Sequence, residues 1–265
     1  MLPAWRLLLN PALPGFRQMA IDEALYRLAA PDQAPVVRFY TWQNPTLSLG
    51  FFQDYKKVVC ESFIVHNNID VVRRITGGRA VLHHDELTYA IAAPLSSRFE
   101  NQSLQETYRL IAEALNLGLL EMGFDQSSIF NGTQPAHEGR LPQCFVTVSK
   151  YEISKETRKM IGSAQKRSRD RFIQHGSILL DFDPYLQNGC VNHPDPEIEK
   201  RVAPLNRLLG RKLSFPETAS CFRKGFERFF DVALEDSALT VQEEQMISEL
   251  EHKYSSSNWT HSGCR

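Results

Sequence analysis

The sequence predicts an α+β protein with a mixed, largely antiparallel sheet flanked by helices. Candidate strands occur in neighbouring groups with helices interspersed, without the regular βα alternation of a parallel sheet. The 265 residues contain no internal repeat, low-complexity tract or interdomain linker, and they are long enough to bury a substantial core. We therefore expect a single domain over residues 1–265, with its core at about 31–250.

The first half of the chain supplies most of the predicted strands. Apolar and β-branched runs bounded by turn residues predict strands at 5–9, 36–42, 46–52, 69–74, 80–84 and 86–92. A helix follows Pro14, because apolar residues from Phe16 to Leu28 recur at helical spacing. The turn 43–45 joins the second and third strands, and the turn 76–78 ends the fourth.

The second half begins with a long helix. Ser103 is placed to cap it, with Glu106 completing a capping box, and the helix should extend to about Met122. Residues 126–142 are rich in Gly, Pro, Asn, Gln and Ser and predict a loop. Strands should follow at 145–153, 159–165 and 172–180, and helices at 196–201, 216–230 and 241–254.

Composition excludes several classes of protein. The net charge is −1, which does not fit a general nucleic-acid binder. No apolar stretch approaches the roughly 20 residues that span a bilayer, and no signal peptide is visible, so we expect a cytoplasmic protein. The five cysteines, an odd number without a CxxC pair, suggest reduced thiols and no zinc site: Cys60, Cys144, Cys190, Cys221 and Cys264.

The segment 73–83 is the first candidate for a site. Its two consecutive glycines, Gly77 and Gly78, leave the backbone bare, so a ligand can lie against it. The segment matches neither a Walker loop nor a GxGxxG fingerprint. A plain Gly-Gly hairpin between two strands is an equally good interpretation.

The residues His83, His84, Asp85 and Glu86 raise the hypothesis of a metal site. Alternate side chains of a strand face opposite ways, so the four cannot converge on one ion without a bulge. We expect a structural or substrate-positioning role for one histidine, and no metal.

Cys144 is the candidate nucleophile. A thiol becomes nucleophilic when a nearby cation favours the thiolate, and Lys159 on the following strand could be that cation. Most free cysteines of cytosolic proteins are simply small buried hydrophobic residues, so spacing alone leaves both interpretations open. A basic run from Lys150 to Arg171 is either a solvated face or a docking surface for an acidic partner.

The order and spacing of several segments resemble the biotin/lipoate protein ligase superfamily, and within it the lipoate-ligase-like octanoyltransferases. An ATP-using ligase usually has a third glycine where this chain has Arg79, and it lacks a cysteine at the position of Cys144. The segments that carry the resemblance are 19–25, 38–42, 47–53, 73–83, 86–89, 144–145, 162–165 and 174–177, with Lys253-Tyr254 and Trp259 near the end.

The resemblance implies a biotin/lipoate ligase catalytic-domain fold and a thioester mechanism without a cofactor. Cys144 would take an octanoyl group from acyl carrier protein, and Lys159 would lower the pKa of the thiol and help to deprotonate the acceptor amine. The acceptor would be a lysine of a lipoyl-accepting protein, such as the glycine cleavage H protein or a 2-oxoacid dehydrogenase lipoyl domain, and the enzyme a monomer. The implied substrate-binding residues are Arg73, Arg74, Thr76, Gly77, Gly78, His83, Gly162, Ser163, Ala164, His175 and Gly176.

Other functions remain open at this level. One is an ATP-dependent lipoate ligase, and another is an amidotransferase that moves the acyl group between lipoyl-accepting proteins. A third is a non-catalytic module that binds acyl carrier protein. Neither acyl-chain length nor acceptor identity follows from the residues.

Overall fold

The computed structural model describes residues 2–124, 128–129 and 151–262. The strands within them are β1 Ala4–Leu9, β2 Val36–Tyr40, β3 Thr46–Leu49, β4 Asp70–Arg73, β5 Val81–His83, β6 Glu86–Pro94, β7 Ser128–Ile129, β8 Ile153–Lys155, β9 Arg158–Arg167, β10 Arg171–Leu179 and β11 Ala233–Asp236. The α-helices are α1 Gly15–Leu28, α2 Tyr55–Val58, α3 Glu61–His66, α4 Leu104–Glu121, α5 Pro184–Gly189, α6 Leu205–Leu209, α7 Phe215–Phe230, α8 Val241–Tyr254 and α9 Ser257–Ser262. Short 3-10 helices form at Ser97–Phe99 and Ile198–Arg201.

The main sheet is mixed and largely antiparallel, which confirms the predicted fold class. Its eight strands run in the order β11-β1-β2-β6-β10-β9-β8-β7. Among the strands of the described residues, only β1 makes parallel pairs in this sheet, with β2 and with β11, and the other pairs are antiparallel. The central strand β6 is buried along its whole length.

A second, three-stranded sheet in the order β4-β3-β5 stands apart from the main one. The turn at 43–45 therefore passes the chain from one sheet to the other, and β2 and β3 do not pair as a hairpin. The double-glycine segment is not a hairpin turn either, because β4 and β5 lie on opposite sides of β3. The segment crosses over the end of β3, which is the strand that follows β2.

Helices cover both faces of the main sheet. On one face α4 packs against α7, and on the other α1 packs against α8. Ser103 and Glu106 form the predicted capping box at the start of α4, so two backbone amides that the helix leaves unpaired find acceptors. No helix of the described ranges is both long and apolar enough to cross a membrane.

Two short strands escaped the sequence analysis. β11 pairs in parallel with β1, from which it is separated by more than 200 residues, and its sequence Ala-Leu-Glu-Asp has no clear alternation. β7 lies inside the predicted loop 126–142 and pairs with β8, which lies outside that loop. Of the predicted strand 145–153, residues 145–150 lie outside the described residues.

Candidate functional site

A cavity lies between the main sheet and the second sheet, beside α1. It holds about 430 Å³ of space free of protein atoms, including the part open to solvent. Most of the wall surface that faces the cavity is apolar. Besides residues predicted from the sequence, the wall contains Met19, Tyr40, Trp42, Ser48, Val81, Thr88 and Ser177.

Most of the predicted substrate-binding residues meet at this cavity, although they come from distant parts of the chain. Three of the eleven, Arg73, Thr76 and Gly77, are not part of the wall. The eight that line it are Arg74, Gly78, His83, Gly162, Ser163, Ala164, His175 and Gly176.

Arg73 faces away from the cavity. Its guanidinium is buried and donates to backbone carbonyl oxygens, among them those of Gly50, Gln53 and Thr260 at 3.1, 2.7 and 2.8 Å. Trp259 returns a hydrogen bond from its indole N–H to the Arg73 carbonyl at 2.9 Å. Arg73 therefore fastens α9 to the second sheet, which is a structural contribution rather than a substrate contact.

Arg74 holds the double-glycine segment from inside. One of its terminal nitrogens donates to the carbonyl oxygens of Gly77 and Arg79, at 2.9 and 2.7 Å. Gly78 has φ of +93°, a left-handed conformation that favours glycine. A Cβ at Gly50 would lie 2.0 Å from the Gly78 carbonyl oxygen, so the loop after β3 can pack this closely only as glycine.

The opposite wall is formed by β9 and β10 and includes two glycines, Gly162 and Gly176. Gly176 is opposite Ser163 in the sheet. A Cβ at Gly176 would lie 2.3 Å from the Gly162 carbonyl oxygen and 2.6 Å from the Tyr89 ring. Only glycine at position 176 therefore lets β10 pack this closely against β9 and the Tyr89 ring.

His83 is fixed by three neighbours. Its Nδ1 lies 2.6 Å from the Glu86 carboxylate, its Nε2 lies 2.8 Å from the Ser48 hydroxyl, and its ring stacks on Trp42 with 4.1 Å between ring centroids. A straight strand would keep the side chains of His83 and Glu86 apart, but β5 ends at His83, Asp85 has φ of +50° and β6 begins at Glu86. The turn lets a histidine and a carboxylate meet, and they bind each other.

Glu86 is a buried carboxylate that sequence reasoning did not assign to the site. It also accepts hydrogen bonds from the hydroxyls of Thr88 and Ser177. Burial alone would raise the pKa of this carboxyl, but the neighbouring His83 and the three hydrogen bonds hold that pKa below its ordinary value. Glu86 is therefore ionised at neutral pH.

His175, on the other side of Arg74, is held like His83 between a carboxylate and a hydroxyl. Its Nδ1 lies 2.8 Å from the Asp22 carboxylate and its Nε2 lies 2.8 Å from the Thr76 hydroxyl. Burial lowers the pKa of His175 below its ordinary value, although the hydrogen bond and charge of Asp22 oppose the shift. Thr76 thus supports the cavity from behind, while Asp22, paired with buried Arg38 at 2.5 Å, anchors the histidine.

Lys159 lies beside a β-bulge between β8 and β9. Ile153 is opposite Ile161, whereas the next residue, Ser154, is opposite Lys159, so Met160 is an extra residue. Met160 and Ile161 both pack into the core under α4 and α7. The bulge therefore turns Lys159 to the face of β9 opposite that core, although Lys159 is not among the residues that line the cavity.

The Lys159 ammonium is completely buried and donates to the Glu152 carboxylate at 2.6 Å. Glu152 is 3% exposed, so the two charges compensate each other in the protein interior. The sequence analysis missed Glu152, although a tight hairpin over 153–159 would have brought the two residues together. Cys144, the expected nucleophile, lies outside the described residues.

The basic run does not form one surface. Lys159 is buried, and β9 separates the positive charges near Arg158 from those near Arg167 by about 30 Å. Arg167 is bonded to the Thr107 hydroxyl at 3.2 Å and to a backbone carbonyl. Any docking surface in this region is therefore smaller than the sequence suggested.

Known proteins resemble this chain over nearly its whole length. Residues 14–227 match the family described as lipoyl protein ligase A/B catalytic domain. Octanoyltransferase LipM of Clostridioides difficile is 34% identical, with 94% of this chain and 96% of the relative covered. Octanoyltransferase LipM of Bacillus subtilis is also 34% identical, with 97% and 98% covered.

Solved structures show the same fold. Lipoate-protein ligase A bound with ATP superposes with a TM-score of 0.84 at 24% identity, over 97% of this chain and 98% of the other. The bi-partite lipoate protein ligase of Thermoplasma acidophilum gives 0.82 at 24% identity, over 99% and 98%. The family match and the full-length relatives confirm the resemblance noted in the sequence: this chain is a transferase enzyme that belongs to the lipoyl protein ligase A/B catalytic domain family.

Proposed function

We propose that this protein is an octanoyltransferase of lipoate biosynthesis that works through a thioester on Cys144. It would take the octanoyl group from acyl carrier protein and deliver it to a lysine of a lipoyl-accepting protein, such as the glycine cleavage H protein or a 2-oxoacid dehydrogenase lipoyl domain. We further propose that it acts as a cytoplasmic, single-domain monomer. The observation that carries the proposal is a buried ammonium group, Lys159, held by Glu152 in a chain similar throughout to octanoyltransferases.

In the first step the Cys144 thiolate attacks the carbonyl carbon of the carrier thioester. A new carbon–sulfur bond forms, the bond to the carrier sulfur breaks, and the carrier leaves as a thiolate that takes up a proton. One thioester replaces another, so the step needs no ATP. A cation beside Cys144 favours the thiolate, and Lys159 is our candidate for that cation.

In the second step the amine of the acceptor lysine attacks the enzyme thioester. An amide bond forms, Cys144 leaves as a thiolate, and the amine loses one proton, which balances the proton gained by the departing carrier. Glu152 supports this arrangement, because an ammonium group is stable in the interior only with a partner of opposite charge.

The cavity supports an acyl substrate. Its wall is mostly apolar, and three glycines, Gly78, Gly162 and Gly176, form part of it. Such a wall fits a hydrocarbon chain, because burying each methylene contributes about 0.8 kcal/mol.

Incubation with matched donors tests the proposal against its alternatives. We expect octanoyl transfer to a lipoyl domain from octanoyl acyl carrier protein without ATP, and none from octanoate with ATP. Transfer from octanoate with ATP would identify a ligase, and transfer only from an octanoylated lipoyl-accepting protein would identify an amidotransferase. Unchanged function in Cys144→Ala would identify a binding module.

A further inference from the structure

A continuous chain of hydrogen bonds runs behind the cavity wall, with Arg74 at its centre. The Arg74 Nε donates to the Thr76 hydroxyl at 3.1 Å, and a terminal nitrogen donates to the Ser48 hydroxyl at 3.1 Å. Each hydroxyl is 2.8 Å from the Nε2 of a histidine, His175 on one side and His83 on the other. The guanidinium therefore lies between two equivalent hydroxyl–histidine pairs.

Each arm of the chain ends at a buried carboxylate. Asp22 lies 2.8 Å from His175 Nδ1, and Glu86 lies 2.6 Å from His83 Nδ1. Both carboxyls have pKa values below their ordinary values. For Asp22 burial acts in the opposite direction but is outweighed by Arg38 and His175, and for Glu86 it is outweighed by His83 and hydroxyl donors. Both arms therefore end in an acceptor.

The ends and the centre of the chain fix the position of every proton. A guanidinium only donates and a carboxylate only accepts, so the Nδ1 of each histidine must carry hydrogen. Each hydroxyl accepts from Arg74, and its single proton then points to the histidine Nε2. When both histidines are neutral, every donor in the chain has an acceptor.

Protonating either histidine disturbs this order. A protonated Nε2 would donate to a hydroxyl that already accepts from Arg74, and the hydroxyl proton would lose its acceptor. The imidazolium would also add a positive charge next to the guanidinium. The pKa of His175 is lowered first by burial and also by the charge of Arg74, which agrees with a neutral ring.

The chain reaches the substrate wall through Arg74. The same guanidinium binds the carbonyl oxygens of Gly77 and Arg79, which fixes the double-glycine segment beside the cavity. We propose that the side chains of this chain of hydrogen bonds are positioning residues for acyl transfer: Asp22, Glu86, Ser48, Thr76, His83 and His175. We further propose that transfer requires both histidines in the neutral form with hydrogen on Nδ1. This inference rests on the proposed function for its role in transfer, but its proton order can be measured separately.

The charged and titratable groups that face the two rings define any pH effect. His175 is faced by Asp22 from α1, by Arg74 from the segment after β4 and by His83 from β5. His83 is faced by Glu86 from β6, and Arg74 approaches it through Ser48 of β3. Arg38 of β2 neutralises Asp22 from behind.

Nitrogen-15 NMR of the histidine rings tests the proton order directly in the wild-type protein. We expect two buried rings with protonated Nδ1 and unprotonated Nε2 at pH 7. As the pH falls, octanoyl transfer should decline together with protonation of the His175 ring. Two buried rings with hydrogen on Nε2, or transfer that is unaffected while His175 becomes protonated, would overturn the proposal.

Thr76→Val tests the positioning role, because it removes the hydroxyl and keeps the shape. We expect transfer at pH 7 to fall by about tenfold to a hundredfold, since small displacements near a reacting group have effects of this size. Thr76→Ser should recover most of the loss. Thr218→Val, which removes an equally buried hydroxyl in α7, serves as the control and should transfer like wild type.

The outcomes separate this inference from the proposed function. Failure of the wild-type protein to transfer octanoyl groups would contradict the proposed function, while the NMR result would still decide the proton order. Normal transfer by wild type and by folded Thr76→Val alike would contradict the positioning role alone.

Discussion

Replacing Lys159 by methionine should destabilise the fold far more than an ordinary lysine substitution. The ammonium is completely buried, and its partner Glu152 is 3% exposed at 2.6 Å. Lys159→Met therefore leaves a carboxylate in the interior without its cation. Removing one partner of such a pair costs about 3–5 kcal/mol, which is a large share of the roughly 5–15 kcal/mol that stabilises a typical domain.

A double substitution separates stability from chemistry. In Lys159→Met with Glu152→Leu neither charge is present, and replacing both members of a buried pair by apolar groups is often neutral or stabilising. We expect the double variant to recover most of the free energy of unfolding. It should still lack octanoyl transfer, because the cation that favours the thiolate is gone.

The control is an exposed ion pair in the same hairpin. Arg158 lies 2.8 Å from Glu156, with the two side chains 39% and 71% exposed. Arg158→Met should change stability by less than about 1 kcal/mol, because solvent screens such pairs. Urea denaturation and transfer from octanoyl acyl carrier protein are the two assays. A double variant that regains transfer, or a Lys159→Met protein as stable as Arg158→Met, would refute the reasoning.

Three further substitutions test the wall, the buried carboxylate and the C-terminal helix. Gly176→Ala places a methyl group 2.3 Å from the Gly162 carbonyl oxygen. Urea denaturation should therefore show a free energy of unfolding lower by about 1–3 kcal/mol, and acylation of the enzyme should slow. Wild-type stability and acylation would contradict the close contact between β9 and β10. Glu86 has a folded pKa below its ordinary 4.5, so its stabilisation is present above that pH and is lost as the pH falls through the lowered folded value. Glu86→Gln should therefore flatten the acid decline in unfolding free energy, and an unchanged slope would count against the ionised carboxylate. Trp259→Ala removes a buried ring and its hydrogen bond to the Arg73 carbonyl. Thermal denaturation should therefore show a free energy of unfolding lower by about 3–5 kcal/mol. A decrease of less than about 1 kcal/mol would show that Trp259 does not hold α9 on the second sheet.

Local signals predicted the main features of the fold. The spacing of apolar residues located α1, and the Ser103–Glu106 pair located the start of α4. The helices predicted at 216–230 and 241–254 are confirmed as α7 and α8. Sheet membership was not predictable in the same way, because β2 and β3 are close in sequence but belong to different sheets. β11 depends on a parallel partner near the other end of the chain, so no local pattern marks it.

The site likewise contains residues that local motifs predicted and residues that only the fold brings together. Sequence motifs identified the two histidines and the glycines of the wall, whereas the residues that orient them come from elsewhere in the chain. Asp22 is more than 150 positions from His175, and Ser48 is 35 positions from His83. The bulge that turns Lys159 away from the face of Ile161 depends on one extra residue, Met160, which alternation along β9 does not reveal.

Intact mass spectrometry after mixing with octanoyl acyl carrier protein tests the covalent mechanism most directly. We expect one octanoyl adduct, mapped to Cys144 by peptide analysis, which hydroxylamine removes and which is absent from Cys144→Ser. Cys221→Ser, which changes a half-buried thiol elsewhere, should acquire the adduct normally. An adduct in Cys144→Ser that hydroxylamine still removes, or full transfer without any adduct on Cys144, would contradict the account.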